Sequence, residues 1–270
     1  MCILLSQYLI EMTKIRLILG IAVTLLFSSC LEIKETYTLL EDGAYTMEYS
    51  VDMGNMIGLF QSMSEEAPAE LAAFKPADTL INYKDLLPDS VKRQTDPKTL
   101  SFFENTSLKL KMDVSQGIFF TKINNQGKST NDLRFLLENM DNLVESANKK
   151  VMNSFTPKKP NEEEYTGNNP ALSNKDFEYI ITPNSFERKL TADAIEKLKG
   201  RNMAEIENLL SDPEADFNIM STLVINLPRP AKSIDNKNAI LSADKKQFSL
   251  RVNLIKTAGN PEMLNFKIVY

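Results

Sequence analysis

The sequence predicts an α+β fold: an antiparallel β-sheet built from hairpins, with helices packed on one face. Three observations carry this expectation. Runs of apolar and polar alternation come in pairs separated by turn residues, and amphipathic helical patterns follow two of the pairs. A composition of 43% hydrophobic and 25% charged residues over 270 positions is that of a globular chain.

Leu31, Ile33, Tyr37 and Leu39 alternate with Glu32, Lys34, Thr36 and Thr38, the period-two pattern of a half-buried strand. Glu41-Asp42-Gly43 supplies turn chemistry, and Tyr45, Met47, Tyr49 and Val51 then alternate with Thr46, Glu48, Ser50 and Asp52. The two runs read as a hairpin. Met53, Met56, Ile57, Phe60 and Met63 follow at helical spacing. Such a stripe reads first as a core face; the alternative is an apolar ligand face for a partner or a lipid, because methionine adapts to irregular guests. From Glu65 to Thr99, Pro68, Pro76, Pro88 and Pro97 mix with short helical pieces such as Leu80 to Leu87. That mixture predicts helix and loop lying over one sheet face.

Leu108, Leu110 and Met112 begin a second hairpin, turned at Ser115-Gln116-Gly117 and returning from Ile118 to Ile123, with Asn124 to Lys128 expected to break it. Ser129, Thr130 or Asn131 then caps a helix carrying Leu133, Leu136, Leu137, Met140, Leu143 and Val144. Residues 153–175 hold Pro157, Pro160, Gly167, Pro170 and the run Glu162-Glu163-Glu164, the composition of an exposed polar loop. The acidic run reads as solvated charge, since a cation cage needs ligands at turn-forming spacing. Phe177, Tyr179 and Ile181 start a third hairpin, turned at Pro183-Asn184 and returning through Phe186 to Leu190. Thr191 caps a helix from Ala192, interrupted at Gly200 and resumed through Leu210. Ile219 to Leu227, Phe248 to Ile255 and Leu264 to Tyr270 supply three more strands.

The chemistry is defined by what the sequence lacks. Histidine is absent, which removes the usual general base and the commonest neutral metal ligand. No Gly-rich phosphate loop and no nucleophile elbow stands in a fitting context. The chain therefore reads as non-enzymatic, with no cofactor and no metal. A carboxylate-dependent hydrolase, the remaining enzymatic alternative, would require two acids converging in a cleft. A net charge of −5 gives no electrostatic reason to expect nucleic acid.

The long apolar run from Ile15 to Phe27 follows Lys14 and Arg16 and precedes Ser28-Ser29-Cys30. This is the order of a basic n-region, an h-region and a small-residue cleavage site. At about a dozen residues the run is short of the roughly 20 that span a bilayer. Residues 1–29 are read as a signal peptide and 30–270 as a single α+β domain. Met12 is the more natural start, because Met12-Thr13-Lys14-Ile15-Arg16 is a compact n-region. Removing the leader drops Lys14, Arg16 and Glu11, which moves the net charge from −5 to −6. Leu26-Phe27-Ser28-Ser29-Cys30 resembles the bacterial lipobox, with Phe27 where that motif usually has Leu. The resemblance implies a diacylglycerol on Cys30, and with it a membrane partner. A retained helix and a signal peptide that merely contains a cysteine are the competing readings.

Cys30-Leu31-Glu32-Ile33, the alternating strand, Glu41-Asp42-Gly43 and the second strand ending at Asp52 resemble the start of the LppM-type bacterial lipoproteins. The segment Val224-Ile225-Asn226-Leu227-Pro228, followed by Ile234 and Asn238-Ala239, is similar to that family's closing segment. The family's tryptophan near the last strands is missing, and no basic membrane helix follows Tyr270. Abundant Met and Asn and the direct join of anchor to strand also resemble envelope lipoproteins of Bacteroidetes-type bacteria. The resemblance implies a lipid-anchored envelope protein of the outer membrane, with the periplasmic face favoured over the cell surface. Its partner would be an envelope protein or a lipid, and lipid or glycolipid carriage is the alternative role.

Overall fold

The structure is a computed structural model and describes residues 31–57, 75–141, 173–200, 219–257 and 259–270. The first hairpin forms as its alternation predicts. β1 (Leu31–Leu39) and β2 (Tyr45–Asp52) pair antiparallel from Leu39–Tyr45 to Glu32–Asp52, and Gly43 takes the left-handed conformation the turn requires. β3 (Ala77–Asn82) follows, then α1 (Pro97–Glu104), β4 (Thr106–Asp113) and β5 (Ile118–Gly127). A helix over 130–141, α2, comes next. β6 (Phe177–Thr182) and β7 (Ser185–Leu190) form the third hairpin and lead into α3 (Ala192–Gly200). β8 (Ile219–Asn226), the two-residue strands β9 (Ser233–Ile234) and β10 (Ile240–Leu241), β11 (Gln247–Asn253) and β12 (Phe266–Val269) complete the order.

The strands form two sheets where one was expected. The larger has eight strands in the order β10-β11-β8-β1-β2-β5-β4-β3, and the smaller has four in the order β6-β7-β12-β9. All pairs in the larger sheet are antiparallel except one, where β8 lies parallel to β1 with Lys34 opposite Thr222. The hairpin pattern could not show this pair, because its strands lie far apart in the sequence and no local turn sets their direction.

Two local expectations also change. Leu80 to Leu87 is not a helical piece. Ala77–Asn82 is an edge strand on β4, and only Tyr83–Leu86 turns, as a 3-10 segment. Its apolar residues alternate too briefly to separate the two periods. Asn124 to Gly127 does not break β5 either, since it continues against β2 as far as the Tyr45–Gly127 pair. Asn125 is tolerated inside because its amide is fully used: it accepts from Tyr45 Oη at 2.8 Å and donates to Thr106 Oγ1 at 2.8 Å. Gly127 is required there, because a Cβ would collide with the Tyr45 ring.

One continuous apolar core lies on a single side of the larger sheet. Tyr37 and Leu39 of β1, Tyr45 and Met47 of β2, Leu223 and Ile225 of β8, and Phe248, Leu250 and Val252 of β11 all point into it. The smaller sheet covers part of that side. Phe186 packs on Tyr37 with ring centroids 5.8 Å apart, and Phe266 packs on Phe248 at 4.9 Å. The helices cover more of the same side. Leu133, Leu136 and Leu137 of α2, Phe102 and Phe103 of α1, and Ala194 and Leu198 of α3 are buried in the core. Each of these three helices starts on a cap: Asp96 accepts from the N–H groups of Lys98 and Thr99, Ser129 Oγ from Asp132, and Thr191 Oγ1 from Ala194. The helices thus pack on one face, in an α+β fold.

Candidate functional site

Two features stand out from the apolar and solvated background, one on each face of the larger sheet. The first is a charged pair between the sheets. Glu35 occupies an inward position on β1 between Ile33 and Tyr37, and Arg188 occupies an inward position on β7 between Phe186 and Leu190. Their side chains retain 16% and 5% exposure, with Arg188 Nη1 3.5 Å from Glu35 Oε2. The Arg188 guanidinium lies 4.6 Å from the ring centroid of Phe177 and 5.2 Å from that of Phe266. Its delocalised, weakly hydrated charge suits such a position. Tyr37 Oη donates to the same Glu35 Oε2 at 2.9 Å, and Arg188 Nε has no hydrogen-bond partner among the described residues.

The surroundings hold three phenols in their neutral form. Burial pushes Tyr37 well above its ordinary range, and the negative charge of Glu35 adds to this. Burial likewise raises Tyr179, against the opposing pull of Arg188, and raises Tyr49 with help from Glu35 and Asp141. Asp141, at the end of the described part of α2, accepts from the backbone N–H groups of Asn174 and Lys175 and so fixes the entry to β6. The carboxylates nearest the interior are therefore committed to structural partners. Asp176 too accepts from Ser173 in a capping box.

The second feature is the opposite, outward face. Across the strands the register aligns Arg251, Thr222, Lys34, Ser50, Lys122 and Lys109 in one row. Lys122 pairs with Glu48 at 3.5 Å and Lys109 with Asp78, whose carboxyl that ammonium holds below its usual range. Lys34 and Arg251 are exposed and form no ion pair among the described residues. Thr222 Oγ1, between them, is closed off from solvent and has no hydrogen-bond partner among the described residues. A neighbouring row is already knitted together: Gln247 Nε2 donates to Asn226 Oδ1, and Asn226 Nδ2 to Thr38 Oγ1, both at 2.9 Å.

No family model matches the chain, and no curated protein matches it significantly. Among solved structures it is similar to the folded domain of LppM from Mycobacterium tuberculosis, determined by NMR. That match has 8% identity over 90% of this chain and 91% of that one, with a TM-score of 0.37. The likeness is a weak structural one.

Of the residues singled out in the sequence, Cys30, Phe60 and Met63 lie outside the described residues, as does most of the polar loop at 153–175. Ile57 is buried against Leu110, Met112 and Val114 in a small cluster beside the main core, while Met53 and Met56 are half-buried. Among the described residues no helix is long and apolar enough to cross a membrane, and no group of three acidic or sulfur side chains could hold a metal. Sequence reasoning passed over Glu35 and Arg188. The signal was present: each is a charge at the inward phase of an otherwise apolar alternation, and the two have opposite sign.

Proposed function

We propose that this chain is a lipid-anchored envelope protein that binds or scaffolds another envelope component and performs no catalysis. The observation that carries the proposal is the position of β1. It starts at Leu31, directly after the lipobox-like cysteine, and runs in the middle of the eight-stranded sheet between β2 and β8. A lipid on Cys30 would thus hold the domain by its central strand with no flexible spacer, setting its orientation at the bilayer. The outer membrane and its periplasmic face are the proposed location. Against lipid carriage stands the space between the sheets, where Tyr37, Phe186, Phe248 and Phe266 pack ring on ring.

Labelling cells with an alkyne fatty acid tests the anchor. The wild-type chain is expected to take up label and to sediment with membranes, and Cys30→Ala to lose the label and to accumulate unprocessed or soluble. Equal labelling of the two would refute the proposal.

A further inference from the structure

We propose that the outward face of the eight-stranded sheet docks an acidic polysaccharide, laid across the strands along the row from Arg251 to Lys109. Neighbouring strands stand about 4.8 Å apart, so alternate positions in that row recur at about 10 Å, close to the length of a disaccharide. Cations occupy the alternate positions Arg251, Lys34 and Lys122, and the hydroxyls of Thr222 and Ser50 fall between them. A polymer with one carboxylate per disaccharide matches that period. Its carboxylate would sit between Arg251 and Lys34, the two exposed cations of the row that form no ion pair among the described residues.

The rest of the face argues for a glycan over other anions. Thr36, Thr38, Asn124, Asn226 and Gln247 present hydroxyl and amide groups suited to sugar hydroxyls. Glu32 and Asp52 stand side by side on the same face, two residues along from Lys34 and Ser50. A densely charged anionic bilayer or a nucleic acid would meet those carboxylates head-on, whereas a sparsely charged, hydroxyl-rich chain leaves them hydrated.

The inference rests on the anchored-binder reading only for placing the protein beside an envelope glycan. The test uses full-length protein in detergent micelles, titrated with hyaluronan oligosaccharides, neutral dextran and phosphatidylglycerol vesicles. Saturable, salt-sensitive binding to hyaluronan is expected, with dextran much weaker. Lys34→Gln and Arg251→Gln should each weaken it about threefold to fivefold. Lys189→Gln, on the smaller sheet, should leave it unchanged. No saturable binding, an equal loss in Lys189→Gln, or tighter binding to the vesicles would overturn the proposal. Cys30→Ala protein should bind hyaluronan as the wild type does, so failure of the anchor and failure of the glycan site give different results.

Discussion

The two faces of the eight-stranded sheet treat neighbouring charges on one strand in opposite ways. Glu35 faces inward and is held by a single arginine from the other sheet, while Lys34, one residue earlier, faces outward with no ion pair among the described residues. The difference follows from desolvation. A carboxylate taken out of water needs a partner of fixed geometry, and a surface ammonium needs only water. The inward pair therefore acts as a registration point: it is satisfied only when β1 and β7 meet with Tyr37 over Phe186.

Removing one member of the inward pair should break that contrast most severely. Arg188→Met leaves Glu35 facing apolar rings and should cost about 3–5 kcal/mol in urea unfolding. Adding Glu35→Gln to it should recover most of the loss, because the remaining group is then neutral. Lys34→Met on the other face should stay within about 0.5 kcal/mol. Similar losses for Arg188→Met and Lys34→Met would mean that the inward pair is no more desolvated than the surface.

β8 allows the same comparison without charge. Ile225 is fully buried, and Val224 beside it points outward, opposite Thr36 of β1 and Ser249 of β11. Ile225→Ala should destabilise by about 2–5 kcal/mol through lost burial and a cavity. Val224→Thr should change stability by less than about 0.5 kcal/mol. A large loss in Val224→Thr would show that the outward face is covered, and would remove the surface on which the glycan proposal stands.

The two faces were unequally legible in the sequence. Alternation within β1, β2, β4, β7 and β8 told inside from outside residue by residue, because a side chain's face depends only on the strand's own period. Which strand lies beside which was legible only within hairpins, where a short turn fixes the partner. The parallel β1–β8 pair and the separation into two sheets are long-range choices, made by packing that no local pattern encodes. The outward row was hidden for the same reason. Lys34, Lys122 and Arg251 are unremarkable singly and become a row only once the register of four pairs of strands is known. Glu35 was hidden differently, since one inward charge looks like an imperfection in an alternation until its counterpart on β7 is placed opposite.

Alkaline titration gives the smallest and most selective test, because it is silent at neutral pH. Tyr37, Tyr45, Tyr49 and Tyr179 all point into the core, and burial raises each phenol above its usual value. The folded state thus holds these protons more tightly than the unfolded chain, whose phenols ionise near pH 10. Below that pH both states are protonated and the difference contributes nothing. Above it only the unfolded chain loses protons, so stability should fall as pH rises. Phenolate absorbance from these residues should then appear together with the loss of structure, in one cooperative step. A gradual titration with the fold intact would show that water reaches the inner face, and that Glu35 and Arg188 are less isolated from solvent than their surroundings imply.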